Sequence, residues 1–172
     1  IVHTGSSLAT AVPPGNSDSH PTWSPDSQWI AFAHGSGYRG DTDHDALYLV
    51  AATGGATTRL DKACGGASTT NNYIPSFSPF DNGGYFWITF QSTRDYGNTV
   101  AGTRGTSRPQ VWVAAISDHP TAGTDPSEVA YWLPGQDVHE QNIEAFWARH
   151  ACRRTGDACS VSSECCSLEC RD

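Results

Sequence analysis

Hydrophobic residues occur along this chain in short runs separated by clusters of Gly, Pro, Ser, Asn and Asp, and no stretch sustains a 3.6-residue apolar period over helical length. In the first half, Trp29-Ile30-Ala31-Phe32 and Leu47-Tyr48-Leu49-Val50-Ala51 read as strands. In the second half, Trp87-Ile88-Thr89-Phe90 and Val111-Trp112-Val113-Ala114-Ala115 do the same. Weaker strands are expected near Thr57 to Leu60 and Glu128 to Leu133. Apolar residues fill both alternating faces of the second strand, with Trp29, Ala31 and Ala33 on one and Ile30 and Phe32 on the other. A strand of that kind is expected between stacked sheets. The pattern as a whole predicts an all-β chain.

The same order of elements occurs twice. Pro21-Thr22-Trp23-Ser24-Pro25-Asp26 returns as Pro75-Ser76-Phe77-Ser78-Pro79-Phe80-Asp81, and the two strands that follow return after it, with longer loops in the second copy. Pro presets φ at such a turn and Ser and Asp bond nearby backbone, so Trp23, Phe77, Asp26 and Asp81 are read as fold residues, the aromatics packing between neighbouring sheets. Trp-Ser-Pro-Asp, Trp-Ile-Ala-Phe, Leu-Tyr-Leu-Val, Gly54-Gly55 and Arg59-Leu60 together resemble the TolB-like, WD-type β-propeller repeat over about residues 20 to 147. The resemblance implies a partial β-propeller of four-stranded antiparallel blades: two full repeats, a third copy opening at Asn142 to Trp147, and outer strands of a preceding blade in residues 1 to 12. Two to three blades do not close a ring. The expected complement is the rest of a longer precursor, a companion chain or self-association, and a chain that starts at Ile1 and has no Met reads as a processed product or segment.

Five of the six cysteines, Cys152, Cys159, Cys165, Cys166 and Cys170, crowd the end of the chain. Such density predicts a disulfide-rich tail and an oxidising compartment, so a secreted, periplasmic or cell-surface protein is expected. The spacing is similar to the first five cysteines of a knottin, and Cys64 is a candidate for the missing sixth. The domains expected are a propeller segment over 1–148 and a knottin-like tail over 149–172.

The net charge of −8 and a single Lys argue against nucleic-acid binding, and no apolar run is long enough to span a membrane as a helix. Asp41, Asp43 and Asp45, at alternate positions after Gly40, form the start of an Asp-x-Asp-x-Asp loop and are candidate calcium ligands. The sixth position of that loop is Ala46 instead of Gly, and no Glu stands at the twelfth. The equivalent loop of the second copy carries Arg94, Arg104 and Arg108, and the face on which both loops emerge is the expected binding site. Arg39-Gly40-Asp41 matches the tripeptide read by integrins, a match common by chance. Asp137, His139 and Glu140, with His119 or His150, are an alternative metal or acid/base cluster. No Gly-x-Ser-x-Gly elbow is present. The function expected is a binding module that presents loops to a protein or glycan partner. A metal-dependent hydrolase or lyase and a structural subunit of an extracellular assembly are the alternatives.

Overall fold

A computed structural model describes residues 17–35, 45–67, 71–80, 83–95, 108–121 and 123–148. Among the described residues, eight strands and one short helix are formed: β1 (Ser17–Trp23), β2 (Trp29–Gly35), β3 (Ala46–Ala51), β4 (Thr58–Arg59), α1 (Asp61–Cys64), β5 (Asn72–Phe77), β6 (Tyr85–Ser92), β7 (Gln110–Ser117) and β8 (Tyr131–Trp132). They make two antiparallel four-stranded meanders, β1-β2-β3-β4 and β5-β6-β7-β8. Both sheets are open.

Each sheet begins with the same locked turn. The Ser24 hydroxyl donates to Asp26 Oδ1 at 2.5 Å, the same carboxylate accepts the Gln28 amide, and Trp29 N donates to Ser24 Oγ at 3.0 Å. In the second sheet Ser78 N donates to the Trp87 carbonyl and Phe80 N to Ser78 Oγ. The side chains thus satisfy the amides that a strand-to-strand reversal leaves without a ladder partner.

The two sheets share one core. Ala31, Leu47 and Leu49 of the first sheet and Phe77, Phe86 and Ile88 of the second belong to a single buried cluster. Phe77 meets Phe86 edge to face, and its amide donates to Thr22 Oγ1 of β1. α1 fastens the sheets a second time. Leu60, at its N-cap, offers no side-chain bond, and the exposed amides are satisfied from the other sheet: Lys62 N donates to Asp125 Oδ2 at 2.7 Å and Ala63 N to Ser127 Oγ at 3.1 Å. At the other end Gly65 turns left-handed (φ 88) and its amide and that of Gly66 close on α1 carbonyls. Arg94 lies against this turn, and a side chain at residue 65 would come within 2.7 Å of its guanidinium.

Four sequence expectations need correction. The partial propeller with flanking blades is not what is built: two open four-stranded sheets are present, and residues 142–148 form no strand of a third copy. The reason is local, since Asn142 N is held by the Pro109 carbonyl and the Trp147 indole by the Ser76 carbonyl, which ties this segment to the second sheet as a strap. Residues 1–12 lie outside the described residues. Trp23, expected between sheets, is 55% exposed, whereas Phe77 is buried, because among the described residues β5 has another sheet, through β1 and β2, packed against it. Cys64, the one cysteine among the described residues, is a free, fully buried thiol whose sulfur accepts Leu47 N at 3.4 Å, so it supplies no disulfide to the tail. The tail cysteines Cys152, Cys159, Cys165, Cys166 and Cys170 lie outside the described residues. Finally, the calcium reading loses its third ligand: Asp45 is drawn into the interior, its carboxylate filling the space a side chain on Gly35 would need. Asp41 and Asp43 lie outside the described residues, and among the described ones no group of three or more His, Cys, Asp or Glu is placed to hold a metal.

Candidate functional site

The first strands of both sheets, the edge strands β1 and β5, carry the same irregularity. Register slips between Ser19 and Thr22 in β1 and between Tyr73 and Ser76 in β5. At each bulge a residue before proline takes a positive φ, His20 at 50° before Pro21 and Ile74 at 49° before Pro75. For a β-branched residue that conformation costs on the order of 1–3 kcal/mol. Proline explains the break in pairing, since it supplies no amide to a ladder. Bulges bend a strand and redirect its side chains.

Both bulges open onto one cleft of about 260 Å³. Its floor comes from the second sheet, where Thr89, Phe90 and Gln91 of β6 and Val111 of β7 are all buried. One wall is the bulge of the first sheet at His20 to Thr22 and the other the bulge at Ile74 to Ser76. The strap supplies the rim through Glu144 and Phe146, and Phe146 is 83% exposed.

The strap is positioned by side-chain amides that imitate strand pairing. Gln136 accepts Val111 N at 2.7 Å and donates to the Val111 carbonyl at 2.9 Å, extending the ladder of β7 where no strand continues. Gln110 donates to the Glu140 carbonyl and accepts from Asn142 and from the Trp132 indole. The Trp147 indole donates to the Ser76 carbonyl at 3.0 Å, beside the cleft wall. Within the floor, Thr89 Oγ1 donates to the same carbonyl. Gln91 differs, because its Nε2 is buried and finds no hydrogen-bond partner among the described residues.

Of the arginines expected to form a basic face, Arg94 and Arg108 are among the described residues. Arg94 turns inward, donating to the Ala63 carbonyl at 2.9 Å with its guanidinium carbon 3.9 Å from the centre of the Trp112 ring and 5.5 Å from that of Phe90. Burial lowers its pKa to about 10, so it stays charged at neutral pH. Arg108 is exposed just before β7, and Arg104 lies outside the described residues. Asp137, His139 and Glu140 fall in one exposed turn, in which the Asp137 carboxylate accepts the His139 amide at 2.8 Å. His119 is paired with its neighbour Asp118, and His150 lies outside the described residues. Sequence reasoning missed the cleft. Its only linear trace is the pair of X-Pro positions, 20–21 and 74–75, inside otherwise strand-like segments.

No family model matches the chain, and no curated protein matches it. Among the described residues, no helix is long and apolar enough to cross a membrane.

Proposed function

We propose that the protein is a binding module that takes part of a glycan or protein partner into the cleft between its two sheets. The observation that carries this reading is the convergence of both bulged edge strands, β1 and β5, and the strap on one concavity with a mixed apolar and polar lining. Concave sites of that composition, with a few polar groups set among apolar walls, are where small ligands and the ends of larger ones are held. Bulges conserve neither pairing nor low strain, and their placement on both walls supports a role in shaping this surface. A secreted or cell-surface location is part of the proposal, supported by the crowding of cysteines after residue 150.

The test is a heteronuclear NMR titration of isotope-labelled protein with panels of oligosaccharides and peptides. A binder is expected to shift the amides of residues 20–22, 74–76, 89–91 and 144–146 together. Ligands that shift only the loop around Arg108, or the turn at Asp137 to Glu140, would move the site away from the cleft and overturn the reading.

A further inference from the structure

Resting on the cleft as the binding site, we infer that its ligand is a neutral hydroxylated ring, a hexose unit, and that Gln91 is the residue that selects it. Gln91 is only 3% exposed and lines the cleft, and its Nε2, itself covered, has no hydrogen-bond partner among the described residues, so the amide meets a ligand by turning toward the cleft. Buried amide groups are nearly always bonded, because leaving one unsatisfied costs about 1–3 kcal/mol. The neighbouring polar group of the floor, Thr89, is already bonded to the Ser76 carbonyl. A half-turn about the terminal torsion exchanges the oxygen and nitrogen of a Gln side chain, so the amide can present either a donor or an acceptor to the cleft. A sugar hydroxyl complements both.

The rest of the lining narrows the ligand class. Among the described residues that line the cleft there is no Lys or Arg, His20 is the one side chain that can become cationic, and Glu144 contributes a carboxylate that offsets it, which disfavours phosphates and carboxylic acids. Addition of a peptide as an extra strand is opposed by Pro21 and Pro75 and by the bulges, devices that blunt a sheet edge against pairing. The volume of about 260 Å³ lies below the usual range for drug-sized ligands and suits one small ring. Phe146 on the rim offers an exposed aromatic face for the C–H side of that ring, and Glu144 and Gln91, in the same lining, carry the polar groups that would bond its hydroxyls.

The experiment uses the full chain and, as probes, glucose, galactose, mannose and N-acetylglucosamine at millimolar concentration, with glucuronate as the anionic counterpart. At least one neutral hexose is expected to shift the Gln91 side-chain amide resonances and the cleft backbone amides, and glucuronate to bind at least tenfold more weakly. Gln91→Leu is expected to weaken hexose binding at least tenfold while leaving the melting temperature unchanged or raised, since it removes an unsatisfied buried amide. A merely structural Gln91 predicts a lowered melting temperature instead, and that result overturns its assignment. Phe146→Ala, at an exposed position that leaves folding untouched, is expected to weaken binding about tenfold, and unchanged affinity there overturns the sugar pose. If peptides shift the cleft amides and no hexose does, the sugar inference falls and the cleft reading stands. If no probe shifts them, both fall.

Discussion

At the scale of single residues, the free energy at stake is set by backbone strain and by burial. Ser27 sits in the first strand-to-strand turn with φ 60, an exposed non-glycine residue in left-handed conformation. The turn of the second sheet meets the same demand with Gly83 at φ 52. Ser27→Gly should therefore stabilise the protein by about 0.5–1 kcal/mol, the relief of left-handed strain exceeding the entropy that glycine adds to the unfolded chain. A urea titration checks it, and an unchanged or lowered midpoint is the contrary result. Cys64 gives a pH dependence. Burial pushes its thiol up to about 11 from the usual 9, and burial also raises Tyr48. Between those two pH values the unfolded state loses the Cys64 proton while the folded state retains it. Stability is then fully present below pH 9 and falls as pH rises toward 11, by on the order of 2 kcal/mol from Cys64. Urea midpoints should be level from pH 7 to pH 9 and decline from pH 9 to pH 10, below the range in which the lowered pKa of Arg94 acts with the opposite sign, and Cys64→Ala should flatten most of that slope. A parent profile with no decline would contradict the buried thiol.

At the scale of elements, α1 shows how a segment too short to be helical by itself is held by its surroundings. Four residues cannot offset the cost of helix nucleation, so the helix exists because the second sheet caps it. Asp125 is central to this cap, accepting Lys62 N as well as the amide and hydroxyl of the buried Ser127. Asp125→Ala should cost about 1–2 kcal/mol, the range of a lost cap. Asp125→Asn should recover part of that loss, because it keeps an acceptor. Amide hydrogen exchange at Lys62 and Ala63 is the direct measurement: protection there should drop in the Ala variant more than in β2 or β6. Equal loss everywhere would mean that α1 does not open independently. The ion pair of Lys62 with Glu128, at 3.8 Å on the surface, contributes little beside this cap.

At the scale of the whole molecule, the shared core and the α1 bridge join the sheets into one cooperative unit. Among the described residues the sheets contribute to one hydrophobic cluster, in which Phe77 and Phe86 pack with Ala31, Leu47 and Leu49. Unfolding of residues 17–148 is therefore expected in a single transition, with circular dichroism, near-ultraviolet signal and tryptophan fluorescence changing at the same denaturant concentration. Two separated transitions would show that each sheet folds alone. The cleft shares this dependence, because its floor and its first wall belong to different sheets and its rim is held by Gln136, Asn142 and Trp147.

Strand character was legible in the linear pattern. Short apolar runs bounded by turn residues marked β2, β3, β6 and β7, the strands whose many apolar side chains must be buried whatever surrounds them. The Ser-Pro turns were legible for the same local reason, since Ser24 and Asp26 bond backbone only a few residues away. Strands β4 and β8, two residues each, were expected to be longer. Pairing along β7 continues instead through isolated contacts, such as the bridge of Ile116 with Ser127 and the Gln136 side chain.

What the sequence determined by itself is thus the all-β class, the repeated strand order and the local turns, because each depends on side-chain periodicity or on bonds between near neighbours. The tertiary structure alone decided that the sheets are two and open, that α1 forms, that Asp45, Cys64 and Arg94 point inward, and that residues 142–148 run as a strap instead of a strand. It also decided where the cleft lies. All of these turn on contacts between residues distant in the chain, such as Lys62 with Asp125, Arg94 with Ala63 and Trp147 with Ser76, whose partners no periodicity announces.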